Sequence, residues 1–256
     1  MKITIIQPST IWENKAANLS NLEQLISIHF NKTDLVVLPE MFATGFSLNA
    51  KALGEELNGN TYQWMTNLSS NGKFGLCGTF ILRSDKKFYN HFSFVTPDKE
   101  DFSYNKRHLF NLASENITFA PGKNRQIIHY GGFRFLPVIC YDLRFPVWCR
   151  NRGDYDAIIC VASWPDVRRD AWNSLLKARA IENQCYVIGV NRTGTDNEGF
   201  NYAGDSVVID PLGKILVKVN DYEQGSATAE ISLPDLQNFR DKFPFWKDSD
   251  EFTLSL

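Results

Sequence analysis

Arg134-Phe135-Leu136-Pro137-Val138-Ile139-Cys140-Tyr141-Asp142-Leu143-Arg144-Phe145-Pro146 is a run of sequence that changes character at one residue. Residues 134–139 have the length and composition of a strand buried on both faces. After Cys140 the polarity jumps, and Pro146 suits the first turn of a helix, predicted over 146–152. A strand that feeds a loop and then a helix is an α/β unit, and the pattern recurs along the chain. Strand-like runs occur at 3–6, 35–38, 75–82, 91–96, 157–162, 186–190, 205–209 and 215–219. Between them, Leu19, Leu22, Leu25, Ile26 and His29 fall at helical spacing, which predicts a helix over 14–29 with Asn14 placed to cap it. Further helices are predicted over 61–71 and over 170–183, the latter with Trp172, Leu175, Leu176, Arg179 and Ala180 on one face. From about residue 201 the pattern becomes strand, turn, strand, with Asp210-Pro211-Leu212-Gly213 placed for a tight turn.

No repeat, low-complexity tract or linker breaks this succession, so a single domain over 1–256 is expected. It closes in an aromatic-rich tail from about residue 233, with Phe239, Phe243, Phe245, Trp246 and Phe252 expected to pack on this chain or on a second copy. A chain of 256 residues, 43% hydrophobic and 22% charged, can hold its core without disulfide or metal. Lys and Arg number 27 against 29 Asp and Glu, so the basic excess of a sequence-independent nucleic-acid binder is missing. No apolar stretch of about 20 residues offers a membrane span. The first apolar run meets Gln7-Pro8 too soon for a signal peptide, which makes the cytoplasm the expected compartment. The five cysteines, Cys77, Cys140, Cys149, Cys160 and Cys185, show no CxxC spacing, so neither a disulfide framework nor a zinc site is expected.

Three residues stand out by position. Cys140 ends a strand just before a predicted helix start, where a helix N-terminus favours a thiolate and nearby N–H groups can face an oxyanion. Glu40 follows the apolar run 34–39, and strand C-termini are where α/β folds gather their chemistry. Lys106 lies in Phe102-Ser103-Tyr104-Asn105-Lys106-Arg107-His108-Leu109-Phe110. Each also has a plain reading: a buried structural cysteine, a solvated carboxylate, a surface lysine. Taken together, carboxylate, ammonium and thiol are what a thiol amidohydrolase needs. No GxSxG elbow is present, and of the four histidines only His108 has a motif-like setting.

The segments Leu38-Pro39-Glu40-Met41-Phe42, Tyr104–Phe110 and Val138–Pro146 resemble the three signature segments of the nitrilase superfamily of carbon–nitrogen hydrolases. Ala162-Ser163-Trp164-Pro165, the run 177–192, Gly204-Asp205-Ser206 and Asp210–Gly213 resemble its supporting segments. The resemblance implies an α/β fold, a four-layer α-β-β-α sandwich that usually pairs through helices into a homodimer. It implies Glu40 as general base, Lys106 as transition-state stabiliser and Cys140 as nucleophile, with Glu115 as a second glutamate orienting the lysine. The oxyanion would be held by the Lys106 ammonium and the Tyr141 N–H. No metal or organic cofactor is implied. In such a cluster the opposite charges would keep one another ionised, the sulfur included.

Cys140–Trp148 is most similar to the omega-amidase branch, and Cys-Tyr-Asp in place of Cys-Trp-Glu favours an amide over a nitrile. The implied substrate is a small carboxylated amide such as 2-oxoglutaramate or 2-oxosuccinamate. Its carboxylate needs a cation, for which Arg144 comes first, with Arg168 and Arg169 further on. Arg144 could equally pair with Asp142 or Asp166. Phe42, Tyr141 and Trp164 are the candidate aromatic walls. The alternatives are an amidase acting on N-carbamoyl compounds or deaminated glutathione, and a non-catalytic binding protein on the same fold. A redox pair of Cys140 and Cys149 has little to support it.

Overall fold

The buried apolar runs become the centres of two sheets in the computed structural model, which describes residues 1–254. The last two positions of the expected domain and tail lie outside the described residues. The first half contains β1 (Lys2–Gln7), α1 (Lys15–Ser27), β2 (Leu35–Val37), α2 (Ala50–Leu53), α3 (Asn60–Gly72), β3 (Gly75–Ser84), β4 (Lys87–Val95), β5 (Asp101–Asn105) and α4 (Glu115–Thr118). Next come β6 (Ile128–Tyr130), β7 (Phe133–Ile139), α5 (Pro146–Cys149), β8 (Ala157–Ala162), α6 (Arg169–Asn183) and β9 (Tyr186–Asn191). The chain ends with β10 (Thr193–Thr195), β11 (Asn201–Ala203), β12 (Val207–Ile209), β13 (Ile215–Lys218), β14 (Gly225–Glu230) and α7 (Leu233–Lys242).

One six-stranded sheet runs β14-β1-β2-β3-β4-β5, the other β13-β12-β9-β8-β7-β6. The middle of each is parallel, β1 to β2 to β3 and β7 to β8 to β9. The flanking strands pair antiparallel. Between the sheets, Ile3, Ile5, Val37, Phe92 and Phe94 of one meet Phe135, Ile139, Ile159 and Val161 of the other in one core. Helices α1 and α3 cover the first sheet with Leu22, Ile26, Met65 and Leu68, and α6 covers the second with Trp172, Leu176 and Ala180. Full burial of each leucine, isoleucine or methionine here is worth about 1.5–3 kcal/mol. The result is the α-β-β-α sandwich that the motifs implied.

Helix α1 starts where expected, with the Asn14 side chain accepting the Ala17 N–H at 3.1 Å. The helix predicted over 146–152 ends at Cys149. Its next groups are taken by side chains: Arg125 donates to the Trp148 and Arg150 carbonyls, and Asn183 accepts the Asn151 N–H. Composition did not reveal β5, an edge strand with mixed burial, nor β6, β14, the β10–β11 ribbon and α7. The aromatic tail is only partly packed. Phe252 lies under the Arg152 guanidinium at 4.5 Å, whereas Phe243, Phe245 and Trp246 remain exposed.

Candidate active site

Strand β2 runs through Leu38 and Pro39 to deliver Glu40 at its C-terminal end. The next residue, Met41, turns at φ 46°, with its N–H held by the Thr79 hydroxyl at 2.7 Å. Glu40 faces the second sheet: its Oε2 accepts the Ser163 N–H at 2.8 Å, and its carbonyl accepts the Ser163 hydroxyl at 3.1 Å. Ser163 follows β8, so the carboxylate straddles the seam between the sheets. Strand β5 delivers Lys106, whose N–H donates to the Asn90 carbonyl on β4 at 3.0 Å. Strand β7 delivers Cys140, whose φ of 48° is left-handed and costly for a side chain with a Cβ. A 3₁₀ turn, Cys140–Arg144, follows.

The three side chains converge. Lys106 Nζ donates to Glu40 Oε1 at 2.8 Å and lies 2.9 Å from Glu115 Oε2. Glu115 also accepts the Phe110 N–H at 2.6 Å. Glu40, Lys106 and Glu115 are all buried, none more than 1% exposed. Asn90, which the sequence did not single out, gives its amide hydrogens to Glu40 Oε1 at 2.8 Å and Glu115 Oε1 at 3.1 Å. Asn90 shares β4 with two other buried polar residues, His91 and Ser93, so composition does not set it apart; as a buried carboxamide it needs partners.

Electrostatics corrects one expectation. Burial pushes the Cys140 thiol well above the ordinary cysteine value, the Glu40 charge adds to the rise, and Lys106 opposes it without prevailing. Two carboxylates and one ammonium already leave a net negative charge beneath the sulfur, so the resting group is the thiol, not the expected thiolate. Burial works against the Lys106 ammonium too, yet Glu115 and Glu40 outweigh it and hold its pKa above the usual lysine value. Glu115 is raised, by burial first, because it shares that one ammonium with Glu40. The Cys140 sulfur lies 4.0 Å from the Ser163 carbonyl and feels the charges of both Glu40 and Lys106; in such a cluster the carboxylate can take a proton from sulfur and the ammonium can stabilise an oxyanion.

Lys106, Cys140, Tyr141 and Ser163 line a cavity of about 620 Å³. Tyr141, Arg144 and Trp164 are on its wall, as expected, together with Arg168 and Phe110. Arg144 pairs with neither Asp142 nor Asp166. Its guanidinium lies 4.8 Å over the Trp164 ring, and Arg168 lies 5.4 Å over Phe110. Neither has a carboxylate partner among the described residues, whereas Arg169 is committed to Asp205 and Asp221. Phe42 is not on this wall. It is fully buried against Trp64, in space that a Cβ on Gly78 would fill at 2.8 Å. The turn at Met41 sends Phe42 inward and leaves the wall to Phe46, whose ring lies 5.4 Å from Lys106 Nζ.

A fold of two helix-covered sheets with this cluster at the ends of their strands defines a class, and residues 2–241 match the carbon–nitrogen hydrolase family model: the chain belongs to that family. Among similar proteins, omega-amidase YafV of Yersinia enterocolitica is 41% identical over 99% of this chain and 98% of its own. The 2-oxoglutaramate amidase of Bacillus subtilis is 33% identical over 96% of each. A carbon–nitrogen hydrolase superfamily protein of Xanthomonas campestris, solved with an arsenic adduct in its active site, superposes with a TM-score of 0.97. It is 39% identical, over 100% of this chain and 99% of that one.

Proposed function

We propose that the chain hydrolyses the terminal amide of a small carboxylated amide, such as 2-oxoglutaramate or 2-oxosuccinamate, and releases ammonia. The observation that carries the reading is the pair Arg144 and Arg168, unpaired guanidiniums on the wall of the cavity that Cys140 lines. Both are half-buried, and a substrate carboxylate would supply the counter-ion that neither has among the described residues. The amidases of Yersinia enterocolitica and Bacillus subtilis support the same substrate class.

In this mechanism Glu40 takes the Cys140 proton as sulfur attacks the amide carbon. The C–S bond forms, and the carbonyl oxygen becomes an oxyanion facing the Lys106 ammonium and the Tyr141 N–H. The oxyanion collapses, the C–N bond breaks, and Glu40 passes its proton to the nitrogen, which leaves as ammonia. Water then gives a proton to Glu40 and attacks the thioester. The C–S bond breaks and the thiol regains its proton from Glu40. Glu115 and Asn90 orient the lysine and the base.

The test is ammonia release from 2-oxoglutaramate, glutamine, asparagine, a neutral short amide and a nitrile. Cys140→Ala should abolish turnover with the fold intact, and turnover near the wild-type rate in that variant sinks the assignment. Arg144→Ala and Arg168→Ala should raise KM for the carboxylated amide by about 10–200-fold and leave the neutral amide nearly unchanged. Equal losses on both move the carboxylate site elsewhere, and release from no amide favours a binding protein.

A second reading has a larger leaving group, as in deaminated glutathione. The cavity exceeds what a small dicarboxylic amide fills, and its outer wall carries Trp12, Leu48, Leu112 and Phe200. A deaminated glutathione amidase of Synechocystis is 31% identical over 90% of this chain. The expected setting is the cytoplasm and the expected assembly a homodimer. Exposed Ile181, Leu212, Phe243, Phe245 and Trp246, on and near the end of α6, support the pairing.

A further inference from the structure

Asp142 lies two residues beyond Cys140 and is fully buried. Four donors surround its carboxylate. Oδ1 accepts the His108 N–H at 2.8 Å and the His108 imidazole Nδ1 at 2.8 Å. Oδ2 accepts the Tyr104 hydroxyl at 2.7 Å and the Ile139 N–H at 3.0 Å. No lysine or arginine pairs with it among the described residues, so these donors alone compensate its charge. Tyr104 stays a donor because burial, with the Asp142 charge added, pushes its phenol well above the usual tyrosine value. His108 is fixed from its other side by stacking on Phe145 at 3.8 Å.

The arrangement has a plain geometric reading. Tyr104 and His108 sit two residues before and two after Lys106, and Ile139 immediately precedes Cys140, whose backbone is left-handed. We propose that Asp142 is a positioning residue that fixes Lys106 and Cys140 relative to each other and holds the Cys140 turn in its costly conformation. It touches neither substrate nor the reacting atoms. It acts by joining the two segments that carry them, which belong to different sheets. The inference rests on the reading in which the Cys140 sulfur attacks the amide. It adds a source for the alignment that attack needs, since a misplacement of about 1 Å can cost about 100-fold in rate.

Asp142→Asn tests it. The carboxamide keeps the shape but turns one acceptor into a donor, which then faces either the Ile139 N–H or the His108 N–H. With whichever amide of the panel turns over fastest, kcat should fall by about 100-fold while KM stays within about twofold. Tyr104→Phe and His108→Gln should each lower kcat by about tenfold at constant KM. The double variant Tyr104→Phe/Asp142→Asn should be no more than about threefold below Asp142→Asn alone, because both act through one carboxylate. A folded Asp142→Asn enzyme with kcat within about twofold of wild type overturns the proposal, as does a loss confined to KM or losses that multiply independently. Should Asp142→Asn not fold, undiminished kcat in both Tyr104→Phe and His108→Gln overturns it instead. Cys140→Ala, assayed alongside, keeps the two readings apart: turnover near the wild-type rate there refutes the nucleophile and with it the ground of this inference, whereas an inactive Cys140→Ala beside an undiminished Asp142→Asn refutes the clamp alone.

Discussion

Cys140 is held as a thiol, and that fixes how its reactivity should depend on pH. With its pKa raised well above the ordinary value by burial and by Glu40, the thiolate fraction grows with every step of pH through neutrality. Alkylation of Cys140 by iodoacetamide should therefore climb without levelling below about pH 9. A plateau reached under pH 7 would show a resting thiolate and remove the need for a base. Glu40→Gln separates the two roles proposed for that carboxylate. It removes a negative charge from beside the sulfur, so alkylation at pH 7 should be no slower than in the wild type. It also removes the proton acceptor, so turnover should drop by about 100- to 10,000-fold. This sign could not be read from the sequence. A strand-end cysteine before a helix start promised a lowered pKa, but a five-residue 3₁₀ turn separates Cys140 from the helix at Pro146 and the neighbouring charges sum to negative.

At the scale of elements, the edge strand β5 brings Lys106 to the site and is anchored there by His91 of β4, whose Nδ1 lies 2.7 Å from Asn105 Oδ1. That bond makes Nδ1 the protonated nitrogen and leaves Nε2 buried without a partner. Burial, only partly offset by the Asn105 bond, lowers the His91 pKa to about 4. The sign of the linkage follows. The unfolded imidazole takes a proton below about pH 6.5 and the folded one does not, so the contribution is full above 6.5 and is lost as pH falls towards 4. By about pH 4 this site should cost about 3 kcal/mol, and His91→Gln should flatten the fall in Tm over that window. An equal fall in both proteins would assign the loss elsewhere. The continuous apolar strands β7, β8 and β9 were legible because both their faces are buried. Strand β5 was not, because an edge strand mixes buried and exposed positions. Glu40, Lys106 and Cys140 were legible because each lies in a compact segment of its own. Asn90 and the Ser163 N–H were not, since they reach Glu40 across 50 and 123 residues of sequence. Phe42 was misplaced because the left-handed turn at Met41 redirects the chain.

At the scale of the molecule, both sheets contribute to one core, and the expected single domain should therefore behave as one cooperative unit. Calorimetry should give a single transition with equal calorimetric and van't Hoff enthalpies, and two resolved transitions would divide the chain. Ile159→Ala, at the centre of that core, should cost about 2–5 kcal/mol and shift the whole transition without splitting it. The Ser163 N–H that reaches across to Glu40 gives this architecture a further property. The proposed proton acceptor and the sulfur ride on opposite slabs, so hydrolysis by that route gauges how squarely those slabs face one another. Warming or hydrostatic pressure that lets one slip against its neighbour should silence the chemistry while the interior is still dry.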